Sequence, residues 1–443
     1  MTAAPPDAAP SDAVPSDAVS SNAVPSDAGL ARAAELYLDL HRHPELSGAE
    51  ERTAVRFAAR LAEAGYEVTR GIGGHGVAGV LRNGPGPVVM LRAELDALPV
   101  AERTGLPYAS TATGRTPDGR EAPVMHACGH DVHLACAAGA AAALADHRDA
   151  WRGTVLVVGQ PAEETLSGAR AMLADGLYRR LEPPSVVLAQ HTAPLPAGMV
   201  AHGRGPVTAG SRTLRVVIHG RGGHAGAPQL ALDPVVAAAA VVLRLQSIVA
   251  QETSPAEQLV VTVGSLEAAG QGNVIPDRAV LTVTVRGFAE ESLERACTAV
   301  RRIVRGEAAA SGCPREPEFA ELSRSGVNTP DAALAEQLRT AHRQLFGPAR
   351  VAEWPPALAT EDFPLFGPAG ESLHGVPGIR TAYWMLGMVG PEQWAAAPGP
   401  DAARKLGALP ANHSPEFRPQ VGATLRTGIA ALYAAALASL GRP

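Results

Sequence analysis

The sequence predicts an α/β protein in which a mainly parallel sheet is flanked by helices and interrupted by a smaller α+β unit. Three observations predict it. Apolar runs at 88–95 (VVMLRAEL), 154–160 (TVLVVGQ), 186–191 (VVLAQH) and 381–387 (TAYWMLG) have the length and composition of buried strands. Helical stretches separate several of them, as parallel strands require. From about 205 to 324 the order changes to strand, helix, two strands, helix, strand, a compact βαββαβ pattern set inside the larger unit.

In chain order, the first 28 residues carry a five-residue echo, SDAVP SDAVS SNAVP SDAG, of small residues, proline and aspartate. Such a segment buries too little to offset its ordering entropy, so residues 1–28 read as a disordered low-complexity tail. It has no basic or apolar region of a secretory signal. Helical patterns follow at about 30–40 and 47–63, the second opening on Ser47 as cap with Glu50 and Glu51 in its first turn. The four strands above belong to a larger unit spanning 29–204 and 325–443, which ends in an apolar helix near 422–440. In the smaller unit, 205–324, SRTLRVVIHG, QLVVTVGSLEA and RAVLTVTVRGF read as strands, 234–250 and 291–306 as helices, and PREPEFAEL as a last strand.

The composition excludes some functions. Of 443 residues 46% are hydrophobic and 19% charged, and a net charge of -6 gives no basic footprint for nucleic acid. No apolar stretch is long and uninterrupted enough to read as a membrane span. Cys128, Cys136, Cys297 and Cys313 are too few and too uneven for a disulfide framework, which favours the cytoplasm.

Chemistry concentrates in VMHACGHDVHLA (124–135). Cys128 and His130 lie two apart at a strand-to-helix junction, where a thiolate and an imidazole can share a divalent cation. Asp131 is placed to orient one of the histidines, and His133 lies one turn beyond His130. The same string also fits a capped helix start followed by core histidines. Glu163 and Glu164 follow one strand and His191 ends another, on the rim that carboxyl ends of parallel strands form. One glutamate can bind metal while its neighbour shuttles protons; read alone, the pair equally fits a solvated helix start. Glu94 and Asp96 end a strand, where Asp96 is placed to bond a ligating histidine or to cap a loop. His413 and the EDF at 361–363 read, in isolation, as surface loops. His224 lies among glycines in GRGGHAGAP, and Asn273 in QGNVIPD is a polar contact or a turn residue. GIGGHG (71–76) lacks a dinucleotide fingerprint.

Taken together, HRHPELSGAEERTA (41–54), LRAELDALP (91–99), MHACGHDVH (125–133), GQPAEET (159–165), GRGGHAGAP with DP at 233–234, GNVIPD (272–277), EDF and NHSPEF resemble, in order, the M20 metallopeptidases. The resemblance is to their amidohydrolase branch, the hippurate hydrolase and indole-acetyl-amino-acid hydrolase type. It implies a zinc-aminopeptidase-like catalytic domain with an inserted lid or dimerisation domain, and hence a homodimer. It implies two divalent ions per chain, of zinc, manganese, cobalt or nickel, on Cys128, His130, Glu164, His191 and His413. Glu163 would be general base and acid, His224 the lid histidine that meets the oxyanion, and Asn273 a substrate contact. The expected reaction splits N-acyl amino acids or related small N-acyl compounds into a carboxylic acid and an amino acid or amine. Two other readings stand beside it: a cysteine-nucleophile hydrolase using Cys128 and His130, and a non-catalytic metal-binding assembly protein.

Overall fold

The computed structural model describes residues 25–442. The expected tail falls on residues outside that range except for its last four, and two of these, Asp27 and Ala28, already belong to the first helix. That helix, α1 (Asp27–Arg42), starts where the Ser26 side chain accepts the Gly29 amide. The next, α2 (Glu51–Glu63), begins later than expected, and Ser47 is not its cap. The Ser47 hydroxyl donates instead to Asp96 Oδ2 at 2.7 Å, so a long-range bond replaces the local one.

Eight strands form the larger sheet: β1 (Glu67–Ile72), β2 (Gly76–Asn83), β3 (Val88–Glu94), β4 (Gly153–Gln160), β5 (Val186–Pro196), β6 (Val200–His202), β11 (Val351–Glu353) and β13 (Arg380–Val389), in the order β1-β2-β4-β3-β5-β13-β6-β11. The four apolar runs of the sequence are its centre, β4-β3-β5-β13, and these pair in parallel. The flanking β1 and β2 are antiparallel additions absent from the sequence reading. Every residue of β3 and of β4 is buried, which explains why both read as unbroken apolar runs. Helices α3 (His130–Asp146), α7 (Ala332–Phe346) and α8 (Val421–Ser439) cover one face in a single core with α1 and α2, while α4 (Gly168–Ala174) packs on the other.

The inserted region builds a second sheet from β7 (Thr208–His219), β8 (Leu259–Glu267), β9 (Arg278–Gly287) and β10 (Glu318–Ser325), ordered β8-β9-β7-β10. Helices α5 (Pro234–Gln251) and α6 (Glu290–Ala310) back it, enclosing a core of their own. A fifth strand, β12 (Ala357–Thr360), returns from the later part of the chain to pair in parallel with β7. The architecture is therefore the α/β body with an inserted α+β region that the sequence predicts. Among the described residues, α5 and α8 have the length and apolar composition of a membrane span, and two thirds of the α8 span is buried against the sheet and its neighbouring helices.

Candidate metal centre

The carboxyl ends of the parallel strands carry the chemistry. The β3 strand ends at Glu94 with Asp96 just beyond, the loop after β4 holds Glu163 and Glu164, and β5 carries His191. Between Cys128 and His130 the backbone must turn sharply into α3. Gly129 makes that turn at φ 84° as the helix N-cap, and a Cβ there would stand 2.4 Å from Thr192 Oγ1.

Asp96 organises both halves of the site. Its carbonyl oxygen accepts from His130 Nδ1 at 2.8 Å, and its Oδ2 accepts the Glu164 amide at 2.9 Å. The His130 ring therefore turns Nε2 into the site, where it is buried without a hydrogen-bond partner among the described residues. Glu163 Oε2 and Glu164 Oε1 lie 3.9 and 3.8 Å from it. His191 donates from Nδ1 to its neighbour Thr192 O at 2.9 Å, so its Nε2 also points lone pair outward, 3.5 Å from Cys128 Sγ. Glu164 Oε2 and His413 Nε2 are 3.3 Å apart. His413 arrives on a loop tied by its amide to Ala127 O at 2.7 Å and by Asn412 Nδ2 to Cys128 O at 3.2 Å.

These separations suit ligands that each sit about 2 Å from a common ion. Within 4.8 Å of one another stand Cys128, His130 and His191; Cys128, Glu164 and His413; and His130, Glu163 and Glu164. Donors shared between groups are what a two-ion cluster needs. The electrostatics point the same way. Burial opposes charge on His130, yet Asp96, Glu94 and Glu164 outweigh it and push its pKa up to about 10. Burial, with Glu361 and Glu164 beside it, holds Glu163 well above the usual carboxylate range, and burial and the same ring of carboxylates push the Cys128 thiol up. Orphaned Nε2 and Oε1 atoms in an excess of negative charge make a site for divalent cations. Imidazole, thiolate and carboxylate together suit the borderline first-row ions.

Strain marks the same place. Among the described residues, the non-glycine positions with left-handed backbone are Ala162, Leu166 and His413, at φ 49°, 54° and 71°. Two flank the glutamate pair and the third is itself a donor. The first is held by Glu50, whose Oε1 accepts the Ala162 amide at 2.8 Å. Ser47 and Glu50 of the HRHPELSGAEE motif thus brace the site instead of capping a helix.

The remaining expected residues fall elsewhere. Asp131 does not orient a histidine of the cluster: its Oδ2 bonds His41 Nδ1 at 2.7 Å, with Glu102 Oε1 on the other ring nitrogen at 3.2 Å. The residue that braces His191's strand is His133, which bonds Glu94 Oε2 at 2.7 Å and accepts the Thr192 amide at 2.9 Å. His224 and Asn273 lie together, the Ala225 amide bonding Asn273 O at 3.0 Å, in a shallow recess of the inserted region that is separate from the metal cleft. Sequence reasoning passed over Arg92, a buried guanidinium bonded to Glu94, Glu361 and Asp362, and Arg286 and Tyr383, which line the cleft. Only the EDF string hinted at Glu361. A thiol nucleophile paired with His130 finds no support, since His130 Nδ1 is committed to Asp96 O and its Nε2 makes no hydrogen bond among the described residues.

Comparison with known proteins agrees with this chemistry. The profile of peptidase family M20/M25/M40 matches residues 90–411. The chain is 34% identical over 370 residues to an N-acetylcysteine deacetylase of Bacillus subtilis, covering 82% of this chain and 90% of that one. It is 34% identical to an IAA-amino acid hydrolase of Arabidopsis thaliana over 78% of this chain and 76% of that one. A dinuclear metal-binding peptidase of the M20 family from Bacillus subtilis superposes with a TM-score of 0.70 at 27% identity, over 94% of this chain and 100% of the other. The chain belongs to peptidase family M20/M25/M40, in its amidohydrolase branch, and is a metal-dependent hydrolase.

Proposed function

We propose that the protein cleaves N-acyl amino acids, or closely related N-acyl compounds, to a carboxylic acid and an amino acid or amine. One observation carries the reading: Cys128, Glu163, Glu164, His191 and His413 all open on one cleft of about 560 Å³, whose far wall is built by the inserted sheet. Among the described residues, Arg286 is the one guanidinium or ammonium lining that cleft, and its Nη1 is fixed by Leu358 O at 2.8 Å. A fixed cation across from a hydrolytic centre suits the carboxylate of an amino acid. The relatives named above, an N-acetylcysteine deacetylase and an IAA-amino acid hydrolase, support the same substrate class.

In this reading Cys128, His130, Glu164, His191 and His413 hold two divalent ions, of zinc, manganese, cobalt or nickel. Such ions, when bound, acidify water and polarise a carbonyl. Glu163 takes the proton of the attacking water and delivers one to the departing nitrogen. Asp96 fixes the ring of His130 and the backbone of Glu164. His224, with Asn273, belongs to the substrate side, reaching the developing oxyanion by closure of the inserted region or from a second copy.

We assign residues 29–204 and 325–443 to the catalytic domain and 205–324 to a lid through which the chain dimerises. Support comes from the outer edge of β8, unpaired among the described residues, and from Val236 and Leu243, which are 65% and 76% exposed on α5 beside it. The four free cysteines favour a reducing compartment, the cytoplasm.

The test is a panel of N-acetyl and N-benzoyl amino acids, indole-acetyl conjugates and dipeptides, assayed on chelator-treated protein reloaded with each of the four metals. Hydrolysis is expected only after reloading, with acid and amino acid released in equal amounts and two metals measured per chain. Full activity in the stripped protein would sink the reading.

A further inference from the structure

One carboxylate in the cleft has no part in the cluster. Glu361 lines the cleft at 4% exposure and is in none of the groups of donors that could share an ion. Its Oε1 stands 3.7 Å from His191 Nε2, so it borders the reaction zone without entering the ligand set. Both of its oxygens are held. Tyr383 donates its hydroxyl to Oε1 at 3.0 Å, and Arg92 Nη1 reaches Oε2 at 3.3 Å.

Balancing Arg92 does not require it. Glu94 and Asp362 already flank that guanidinium, and Asp362 takes two further donors, Gln160 Nε2 and the Ala169 amide. A further buried carboxylate beside Glu163 and the half-buried Glu164 is costly to keep unless something cationic or hydrogen-donating meets it. The carboxylate oxygens have about four lone-pair sites, of which Tyr383 and Arg92 use two. Its place in the chain is also informative. Glu361 directly follows β12, the strand joined to β7 of the inserted sheet, and Leu358 of that strand holds Arg286. One short segment therefore places both the cation that suits a substrate carboxylate and this acceptor.

We propose that Glu361 accepts the N–H of the scissile amide and stabilises the nitrogen as it leaves, making the cleft selective for N–H amides over esters. The proposal rests on the amide-hydrolysis reading above. When the tetrahedral carbon collapses, the C–N bond breaks with its electron pair on nitrogen, and nitrogen receives its proton from Glu163. Glu361 exchanges no proton. It keeps its charge and meets positive charge growing on nitrogen, so its hydrogen bond is stronger in the transition state than in the bound substrate. An ester places a lone pair where the N–H would be, and the carboxylate repels it.

The experiment takes the best N-acyl amino acid of the panel and its oxygen isostere, the O-acyl 2-hydroxy acid, with metal-reloaded parent and Glu361→Gln protein. Metal content and thermal midpoint are measured on the same samples. The variant should keep two metals and its fold, lose roughly ten- to a hundredfold in kcat/KM on the amide, and keep or gain activity on the ester. Equal losses on both substrates would overturn the proposal. So would loss of a metal, which would make Glu361 a ligand. Should the variant not fold, Tyr383→Phe removes the hydroxyl that orients Oε1 and should lower the amide-to-ester ratio in the same direction; an unchanged ratio overturns the proposal. Failure of the whole panel sinks the amide reading itself, whereas a working panel with an unchanged ratio sinks only the role of Glu361.

Discussion

At the scale of single residues, Glu163 and Glu164 are neighbours with different surroundings. Glu164 shares a group with Cys128 and His413, and its amide is anchored on Asp96 Oδ2. Glu163 is 3% exposed and faces Glu361 and Asp362, so burial and these neighbours hold its carboxyl high. Glu163→Gln keeps size and removes the titratable group. It should retain both metals by elemental analysis while turnover falls by roughly 10² to 10⁴. A variant that sheds a metal would exchange the roles of 163 and 164. Cys128 belongs to two donor groups at once, so Cys128→Ala should cost bound metal together with activity. Full occupancy and normal hydrolysis in that protein would remove the thiolate from the centre. In the sequence these residues were visible as a dense string but ambiguous, because a helix start or a surface turn uses the same letters. His413 was the least legible: its loop has no local signature, and long-range bonds, of its amide to Ala127 O and of Asn412 to Cys128 O, bring it to Glu164.

At the scale of elements, α7 is fastened to the sheet by a pair of buried histidines that have no part in the site. His342 Nε2 donates to Ala431 O on α8 at 3.0 Å, so its Nδ1 accepts from His202 Nε2 on β6 at 2.9 Å. That pattern requires His342 to be neutral. Burial, with the neighbouring ring adding, lowers His202 to about 2, and burial lowers His342 to about 4. Folded values depressed below the ordinary 6.5 mean that the unfolded chain binds more protons in acid. The stability these rings contribute is therefore complete above about pH 6.5 and is lost as pH falls, down to about 4 for His342 and on toward 2 for His202. Below pH 6 the pair should cost roughly 2–3 kcal/mol per pH unit in denaturant titrations of the metal-free protein. In His342→Gln the amide can still donate to Ala431 O and accept from His202, and the slope between pH 6 and 4.5 should fall by about half. An identical slope in parent and variant would show that other groups govern acid unfolding. The sequence reading located α8 in outline but not α7, and it could not pair His202 with His342, 140 residues apart.

At the scale of the whole molecule, the inserted sheet forms one wall of the cleft, while its own His224 lies away from it. Closure or a second copy must bring that ring to within about 3 Å of the oxyanion if it acts there. Two proteins expected to be inactive on their own, His224→Ala and Glu163→Gln, separate the cases when mixed under conditions where subunits exchange. A ring that crosses between copies restores one intact site per hybrid dimer, and activity should reappear. No recovery despite hybrid dimers confirmed by mass would leave a role within the chain. Near-parental activity of His224→Ala alone would remove the residue from the mechanism. The proposed dimer is expected to depend on α5: Leu243→Glu, at a position 76% exposed, should shift sedimentation toward monomer without unfolding the chain.

The sequence by itself determined the α/β class, the four central strands, the inserted βαββαβ order and the set of donor residue types. Each of these is written in local pattern: unbroken apolar runs for strands buried on both faces, changes of period for element type, and motifs spaced along one chain. Only the tertiary structure decided which donors meet. Ser47 leaves a helix start for Asp96, Asp131 turns to His41, His133 braces Glu94 and Thr192, and Glu361 comes to stand beside His191. Those partners are chosen by the register of parallel strands and by loops closing over their ends. A contact between residues tens to hundreds of positions apart leaves no period or spacing in the sequence to be read.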